Sequence, residues 1–383
     1  DVIYLRVQKK RGQSPEEAAR NARYQALMDN MQGDECLLTA QHLDDQAETL
    51  LLQLFRTASS AGLSAMPACR QLGNYFQLRP LLDFSREEIE NYARENALHW
   101  VEDPSNRDVS FDRNFIRKTV MPLLAERWPE VAGQLSTVAR LQSSNLQVME
   151  DMAAIDVANA ITAPEYESRY SVYDVVSVLS VKALKQLSSA RLLNLLRYWI
   201  IQTAGVYAAA KGMERVAPTR NLLEEIERSM IYAQPDAAPV IHSSGFELRK
   251  YRQAIYLLRP RVQSTTLFEM TWHPSEDLAI PALHLKISSV FTAGTGLKKS
   301  LIDKTLSIRF RRGGEYFHPA GRHHSQKLKK LYQEAGIPPW ERDNIPLLYC
   351  NDELIAVIGL WISSGYMVTE GEEGWDINIE MMK

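Results

Sequence analysis

The stretch QHLDDQAET, residues 41 to 49, places one imidazole, three carboxylates and two amides side by side. If a helix begins near Asp44, then Asp44, Asp45 and Glu48 can share one face, because residues three and four apart are neighbours on a helix. Such carboxylates repel one another unless a cation or a positive helix terminus compensates. One interpretation is structural, with Asp45 as the N-cap and Glu48 closing a capping box. The other is a Mg²⁺ site, since Mg²⁺ commonly takes one or two carboxylates together with phosphate oxygens.

A second group of polar side chains lies in WVEDPSNRDVSFDRNFIRKTVMPLL, residues 100 to 124. Arg113 and Arg117 are four apart on a predicted helix, and Asn114 lies beside them. Two guanidinium groups on one face suit bidentate contacts with phosphate or carboxylate. A solvated basic face is the alternative interpretation.

The third group is the basic run from Ser307 to Lys330, in which seven Lys or Arg residues stand against one acid, Glu315. The aromatic residues Phe310, Tyr316 and Phe317 are interleaved with the cations. This pattern indicates an RNA-backbone footprint, and the alternative is a strand edge protected by solvated charges. The seven cations are Arg309, Arg311, Arg312, Arg322, Lys327, Lys329 and Lys330.

Composition narrows the class of protein. The 383 residues exceed one ordinary core, and the net charge of -3 by itself indicates no partner. Three scattered cysteines provide neither a disulfide framework nor a CxxC zinc site, which fits a reducing, cytoplasmic compartment. No apolar run reaches the roughly 18 residues that a membrane span needs, so no membrane partner is expected.

The elements that would position the first two groups follow an α/β pattern. Residues 2 to 7 read as a strand, and a capping box beginning at Ser14 precedes a first helix. Residues 35 to 40, ECLLTA, suit a buried parallel strand, after which the acidic stretch leads into a leucine-rich helix. Ser85 and Glu88 predict a further capping box. Alternating strands and helices predict an α/β fold with a parallel sheet.

The chain beyond residue 120 changes character. Helical periodicity over 129 to 161, 182 to 203 and 218 to 232 predicts an all-helical middle region. Period-two alternation over 246 to 260 predicts a hairpin, and the remainder is mostly β with one cationic helix. The predicted domains are a partial nucleotide-binding domain (1–120), a helical substrate- and tRNA-recognition domain (121–262) and a C-terminal tRNA-binding domain (263–383).

Several segments together resemble one family. EEAARNARY, TAQHLDDQAETLLLQL, GLSAM, WVEDPSNRDVSFDRNFIR and KLKKLYQEAGIPPWERDNIPLL are similar to the tRNA(Ile)-lysidine synthetases, which belong to the N-type ATP pyrophosphatases. The resemblance covers almost the whole chain. Related ATP pyrophosphatases share the acidic motif, whereas the EDPSN to DRNFIR segment and the KLKK to PPWER segment are more specific.

The resemblance implies ATP-dependent ligation of free lysine to C2 of the wobble cytidine in the CAU anticodon of tRNA(Ile). ATP would adenylate the C2 oxygen, and the lysine ε-amine would then displace AMP. It implies that Asp44 and Asp45 organise Mg²⁺, supported by His42 and Glu48. Nucleotide or base contacts would come from Arg20 and Arg23. The side where lysine and anticodon meet would be lined by Arg113, Asn114 and Arg117, with Asp103 and Asn106 ordering their loop.

Two departures from the family pattern leave alternatives open. The phosphate-binding signature SGGxDS occurs nowhere in the sequence, and we expect this loop to lie upstream of Asp1 in the natural protein. Thr57 and Ser59 stand where the family has glycines. One alternative is another tRNA-modifying ATP pyrophosphatase, such as a cytidine thiolase, which would need a CxxC pair. Another is a catalytically inactive tRNA-binding remnant, and a homodimer is an open option for assembly.

Overall fold

The structure, a computed structural model, divides the chain into two compact units, residues 1–153 and 154–383. It describes residues 3–5, 7, 15–56, 59–101, 108–166, 173–210, 218–234, 238–243, 245–260 and 269–382. Each unit is described by itself.

The first unit contains a three-stranded sheet made of β1 (Cys36–Leu38), β2 (Cys69–Leu72) and β3 (Tyr75–Leu78), in the order β1-β3-β2. β1 and β3 run parallel with Leu38 opposite Leu78, whereas β2 and β3 form an antiparallel hairpin. The α/β class is therefore confirmed, and the parallel pair carries an antiparallel hairpin that the sequence interpretation did not include.

Helices supply most of the residues of the candidate site. The leucine-rich helix Leu43–Phe55 starts five residues after β1 and buries Ala47, Leu50 and Leu51 on its apolar face. A π-helical turn, Ile116–Val120, joins the helix Asp112–Phe115 to the helix Met121–Arg127. The helices of the first unit are α1 (Pro15–Asn30), α2 (Leu43–Phe55), α3 (Ser60–Leu63), α4 (Arg86–Glu95), α5 (Asp112–Phe115) and α6 (Met121–Arg127), and α7 (Val131–Ala160) begins in it.

The strand predicted over residues 2 to 7 is wrong for the part that the structure describes. Residues 3–5 and 7 are not in a strand, and Tyr4 is 93% exposed. A strand needs a hydrogen-bonded neighbour, and no described strand pairs with this run. α1 begins at Pro15 as predicted, while its capping residue Ser14 lies outside the described residues.

The second unit begins with helices packed on a four-stranded antiparallel sheet of order β4-β7-β6-β5. Trp199 and Ile200 pack in one core with Leu248 and Leu257 of the sheet. The strands are β4 (Tyr173–Ser180), β5 (Val240–Ser243), β6 (Phe246–Tyr251) and β7 (Ala254–Pro260), and the helices are α8 (Val181–Leu184), α9 (Ser189–Ala210) and α10 (Arg220–Ile226).

The predicted hairpin over 246 to 260 is confirmed as β6 and β7. The all-helical expectation for this region is wrong, because β4 adds to the free edge of β7 in a pairing that joins Tyr173 to Pro260. The helix predicted over 182 to 203 is interrupted between α8 and α9, and α9 then continues to Ala210.

The rest of the second unit is mostly β, as predicted. A core that includes Trp272, Trp375 and Tyr332 holds two sheets together, with the tryptophan rings edge to face at 5.8 Å. One sheet has four strands, another has five, and two further strands form a pair. The predicted cationic helix is present at Leu328–Glu334.

The elements of this part are β8 (Met270–Trp272), β9 (Leu278–Ile280), β10 (Leu285–Ala293), β11 (Leu297–Lys298), β12 (Leu306–Arg309), β13 (Tyr316–Phe317), β14 (Gln326–Lys327), α11 (Leu328–Glu334), α12 (Pro339–Arg342), β15 (Leu347–Cys350), β16 (Glu353–Val357), β17 (Trp361–Ile362) and β18 (Glu373–Met381). The four-stranded sheet has the order β11-β18-β10-β9, the five-stranded sheet has the order β17-β16-β15-β12-β8, and β13 pairs with β14. None of the helices in the described ranges is long and apolar enough to cross a membrane.

Candidate active site

A buried carboxylate, Glu48, joins the acidic stretch to the arginine-rich helix. Glu48 is 2% exposed. Arg117 donates from Nε to Glu48 Oε1 at 2.5 Å and from Nη2 to Oε2 at 2.8 Å, which is a bidentate pair. Arg113 donates to Glu48 Oε2 at 3.3 Å and to the Thr49 hydroxyl at 2.7 Å. The two guanidinium groups therefore face the carboxylates of α2 rather than a purely solvated surface.

Electrostatics favours the charged form of Arg117. The hydrogen bonds with Glu48 raise the pKa of Arg117 above its usual range, and the charges of Glu48, Asp45 and Asp44 act in the same direction. The side chains of Arg113 and Arg117 remain 30% and 25% exposed, so part of each guanidinium group is accessible. A ligand that approaches this surface meets positive charge held in place by a buried acid.

The start of α2 differs from the structural interpretation of the sequence. Its N-cap is His42, and Asp45 is the third helical residue, whose Oδ2 accepts from the His42 backbone N–H at 3.2 Å. Asp45 Oδ1 also receives Arg117 Nη2 at 2.8 Å. The predicted box between Asp45 and Glu48 is therefore wrong, because the helix begins at Leu43 and Glu48 lies one turn too far along it.

Asp44 connects α2 with the first residue of α4. Its Oδ2 accepts from the Arg86 backbone N–H at 2.7 Å and lies 3.4 Å from His42 Nδ1. Hydrogen bonding with His42, followed by the Arg86 amide, lowers the pKa of Asp44 below its usual range. Asp44 is thus an anion at neutral pH, and with its side chain 33% exposed it is the most accessible carboxylate of the cluster.

The donor set constrains what a metal ion could find here. No group of three or more His, Cys, Asp or Glu side chains in the described ranges could hold a metal ion by itself. Mg²⁺ bound through one or two carboxylates, waters and substrate phosphates needs no such cage. The hard oxygens of Asp44 fit that mode, whereas Asp45 is already engaged by Arg117 and His42.

The remaining predicted residues of the first unit are distributed more widely. Asn114 donates to the Asp108 carbonyl at 2.7 Å and so supports its own loop. Arg20 lies 5.7 Å from the centre of the Tyr24 ring and Arg23 is exposed; neither bonds to a carboxylate of the acidic cluster. Asp103 and Asn106 lie outside the described residues, as does Thr57, while Ser59 is the N-cap of α3.

Two contacts of this site carry no signal in the sequence. Arg86 acts through its backbone amide, for which any residue type would serve except proline. Thr49 receives Arg113 although nothing in its own position marks it. An open cleft of about 590 Å³ also lies beside the start of α2, bounded by residues that include Leu43, Asp83, Glu130 and Arg140.

The basic run of the second unit is largely neutralised by nearby acids. Arg309 pairs with Glu269 at 2.8 Å and Asp352 at 3.1 Å, and Arg311 pairs with Asp343 at 3.0 Å. These contacts hold the strand ends and loops together as well as compensating charge.

The other five cations of the run form two groups, those that pair with an acid and those that do not. Arg322 and Lys330 both approach Glu334, at 2.6 and 3.9 Å. Arg312, Lys327 and Lys329 form no ion pair with any residue that the structure describes. These three therefore carry the uncompensated charge of the run.

Comparison with known families assigns the class of the protein. A family model described as a PP-loop domain matches residues 2–124. A second, described as the TilS substrate binding domain, matches residues 179–256, and a third, described as the TilS substrate C-terminal domain, matches residues 306–379. Together with the α/β fold and the acidic cluster that follows β1, these matches define an ATP-using protein of the PP-loop class with appended substrate-binding regions.

Curated relatives narrow the class to a family. A tRNA(Ile)-lysidine synthase of Serratia proteamaculans is 37% identical over 95% of this chain and 78% of its own length. Another with that name, from Coxiella burnetii, is 36% identical over 97% of this chain and 78% of its own. A solved structure, "Crystal structure of TILS C-terminal domain", aligns with 30% of this chain and 99% of its own at 24% identity, but its TM-score of 0.25 is too low to support an inference. The chain belongs to the tRNA(Ile)-lysidine synthase family.

Proposed function

We propose that this protein ligates free L-lysine to C2 of the wobble cytidine in the CAU anticodon of tRNA(Ile), using ATP. The observation that carries the proposal is the 37% identity over 95% of the chain with a relative of that name. The site agrees with it, because the acidic motif and the DRNFIR motif meet at Glu48. A reaction at a phosphate group needs cationic side chains that balance its charge and carboxylates that can hold Mg²⁺, and this arrangement supplies both.

The reaction divides into two substitutions. The C2 oxygen of cytidine attacks the α-phosphate of ATP, forming a P–O bond and releasing pyrophosphate. The lysine ε-amine then attacks C2, so that a C–N bond forms as the C–O bond to AMP breaks. Adenylation is needed because a carbonyl oxygen is a poor leaving group, whereas AMP is a good one.

The contacts of each residue in the candidate site indicate the role that it would have in this reaction. Arg117 and Arg113, held by Glu48, would stabilise negative charge that develops on the phosphate and the leaving group. His42 would orient the two aspartates at the start of α2. Asp44 would hold Mg²⁺, and Asp45 would join it by exchanging one of its contacts with Arg117 and His42. The ion would neutralise phosphate charge when bound.

The substrates have separate regions in this proposal. Residues 1–120 would bind ATP. Residues 121–262 would recognise the tRNA substrate, and residues 263–383 would bind the tRNA backbone. Lysine would lie near Arg113 and Asn114. Arg20 and Arg23 would serve the nucleotide, with Asp103 and Asn106 shaping the loop before α5. A homodimer remains part of the proposal for assembly.

The deciding experiment measures ATP-dependent incorporation of labelled lysine into tRNA(Ile) with a CAU anticodon. It compares this chain with the same chain preceded by a glycine-rich SGGxDS loop. Arg117→Gln should lower incorporation about 100-fold, the effect of removing one preorganised donor. Arg94→Gln is the matched control, because the Arg94 side chain on α4 is 62% exposed and pairs with Glu90 rather than with a residue of the acidic cluster.

The outcomes separate the alternatives. Binding of this tRNA without incorporation by either chain would support the inactive remnant and overturn the synthetase proposal. Sulfur transfer to cytidine would support the thiolase, although the cysteines give it little basis: Cys36 and Cys69 are exposed, Cys350 is buried, and they form no CxxC pair.

A further inference from the structure

Glu315 is the single acid of the basic run from Ser307 to Lys330, and its side chain is only 13% exposed. Its Oε2 lies 3.8 Å from Arg311 Nε, which is long for an ion pair. Arg311 also pairs with Asp343, at the shorter distance of 3.0 Å. Compensation of the Arg311 charge therefore does not explain why this one acid is placed inside a basic run.

The carboxylate of Glu315 holds the backbone of the loop that precedes β13. Its Oε1 accepts from the backbone N–H groups of Arg312 at 2.6 Å and Gly313 at 2.8 Å. An ionised acceptor makes stronger hydrogen bonds to the main chain than a neutral one. Gly313 and Gly314 have φ angles of 94° and 91°, which residues other than glycine rarely adopt. The loop thus combines a turn that glycine permits with an anion that fixes it.

The backbone of Glu315 is joined to a second cationic segment. Its carbonyl oxygen accepts from the N–H of Leu328, the first residue of α11, at 2.9 Å. The next residue, Tyr316, pairs with Lys327 across β13 and β14, and Lys327 Nζ lies 6.0 Å from the centre of the Tyr316 ring. A cation at this distance is attracted by the face of the ring. Glu315 therefore connects the loop before β13 to the start of α11.

Three cations of the run have no acid partner among the described residues, and all three lie beside these contacts. The amide of Arg312 is bound by Glu315 itself. Lys327 lies in β14, opposite β13, and Lys329 follows Leu328 in the first turn of α11. The three residues are exposed. A phosphate group can use several cations at once only when they are held close together, and the contacts of Glu315 supply that arrangement.

We propose that Glu315 is a positioning residue for tRNA binding, because it holds Arg312, Lys327 and Lys329 together as one phosphate-binding surface. This role rests on the proposed function, in which residues 263–383 bind the tRNA backbone. It predicts an effect opposite in sign to the charge of Glu315. An acid that only adds negative charge beside a polyanion weakens binding, whereas an acid that orients the cations strengthens it.

Two variants of equal charge separate orientation from electrostatics. Glu315→Gln removes the negative charge but keeps an oxygen that can accept from the two amides, and Glu315→Ala removes both. The affinity of the full chain for labelled tRNA(Ile) with a CAU anticodon is measured by fluorescence anisotropy over a range of salt concentrations. We expect Glu315→Gln to bind at least as tightly as the wild type. Glu315→Ala should bind about tenfold more weakly, with the slope of log affinity against log salt lowered by about 1, because phosphate contacts are lost.

Gly314 allows the loop to be changed without any change of charge. Chain neighbours aside, no atom of the described residues lies within 4 Å of the position that a Cβ atom of Gly314 would take. Gly314→Ala therefore strains only the backbone, at its positive φ, and should weaken tRNA binding about fivefold. Gly365→Ala is the matched control, because Gly365 has the same open surroundings without a positive φ, and its affinity should equal that of the wild type.

Hydrogen exchange shows whether a variant changes the loop or the fold. In Glu315→Ala the amides of Arg312 and Gly313 should exchange faster, while those of β15 keep the rates of the wild type. If exchange in β15 is also faster, the fold of that variant is affected and the two glycine variants decide. Glu315→Ala binding as tightly as Glu315→Gln, or Gly314→Ala binding as tightly as Gly365→Ala, would overturn the role of Glu315. A wild type that binds no tRNA would overturn the proposed function as well, so the two failures are distinguishable.

Discussion

Glu48 shows how one buried side chain can organise a site. It is almost fully inaccessible, yet both of its oxygens accept from arginines that lie 65 and 69 residues further along the chain. A buried carboxylate is tolerated only when its charge and lone pairs are satisfied. Glu48 therefore depends on Arg113 and Arg117 as much as they depend on it, and the site and the local fold are stabilised by the same contacts.

We expect Glu48→Gln to destabilise the first unit by about 2 kcal/mol, measured by urea denaturation. Removing one partner of a fully buried ion pair costs roughly 3–5 kcal/mol, and the effect should be smaller here because the arginines are partly exposed. Glutamine keeps the size of the side chain and can still accept one hydrogen bond, so the loss reports mainly on charge.

Glu90→Gln is the matched control for that change. Glu90 also contacts two arginines, Arg86 at 2.7 Å and Arg94 at 3.6 Å, but its side chain is 40% exposed. Its loss should cost less than about 1 kcal/mol, as for other surface ion pairs. Equal effects of the two substitutions would show that burial of Glu48 adds nothing.

At the scale of elements, α4 begins with a capping box that the sequence predicted correctly. Ser85 Oγ accepts from the Glu88 backbone N–H at 3.2 Å, and the Ser85 N–H donates to Glu88 Oε2 at 2.7 Å. The next amide, that of Arg86, binds Asp44. The start of α4 thus determines both where this helix begins and how Asp44 is oriented.

Ser85→Ala should lower the free energy of unfolding by about 1 kcal/mol, the usual effect of removing an N-cap. It should also weaken the contact between Asp44 and the Arg86 amide, which hydrogen exchange at that amide can measure. Ser85→Thr, which keeps the hydroxyl, should restore most of the stability. Faster exchange with Thr than with Ala would contradict this explanation.

The same box makes stability depend on pH. The Ser85 backbone amide and hydroxyl lower the pKa of Glu88 below its ordinary 4.5, so the folded protein favours the ionised form. The contribution is complete above the ordinary pKa and is lost as pH falls through the lowered one. The stability difference between wild type and Glu88→Gln should therefore be constant near neutral pH and shrink below about pH 4.5, in denaturation curves recorded across that range.

The capping box and the missed contacts show what the sequence can reveal. Ser85 and Glu88 are three residues apart, and hydrogen bonds over that distance depend on local residue types. Other contacts join segments that are distant in the sequence, namely the pairing of β4 with β7 and the ion pair of Arg117 with Glu48. The spacing of residues within either segment does not encode such contacts. The motifs could select both halves of the candidate site, but only the fold reveals that they meet at Glu48 and that His42, rather than Asp45, caps α2.

On the scale of the whole molecule, the distribution of charge matters more than its sum. The net charge is -3, and acids neutralise much of the basic run from Ser307 to Lys330. An RNA-binding surface must instead rest on cations that have no protein partner. Among the residues that the structure describes, Lys329 is an exposed example on α11.

Lys329→Gln should weaken tRNA binding and lower the slope of log affinity against log salt by about 1, because one phosphate contact is lost. Lys304→Gln, which changes an exposed lysine outside the run, should leave the slope unchanged. Equal slopes for Lys329→Gln and wild type would favour the solvated strand edge.

Arg311 provides a second comparison. Charge reversal at Arg311 and Lys330 should also flatten the salt dependence if the run binds tRNA. Arg311, however, holds Asp343 at 3.0 Å, so its reversal should lower the thermal unfolding temperature as well. Loss of binding without loss of stability, as expected for Lys329, is therefore the cleaner result.

The π-helical turn at Ile116–Val120 has a consequence for how the site tolerates change in length. A π turn accommodates one more residue than an α turn, and it contains Arg117. Deletion of the exposed Lys118 would let the segment close as regular α-helix, and α6 would keep its orientation relative to Arg117, because the π turn holds the one extra residue. Loss of that single codon, directly after the DRNFIR motif, would therefore leave each functional residue encoded and both arginines in contact with Glu48, whereas the same loss from a regular α-helix would turn the following residues by about 100°.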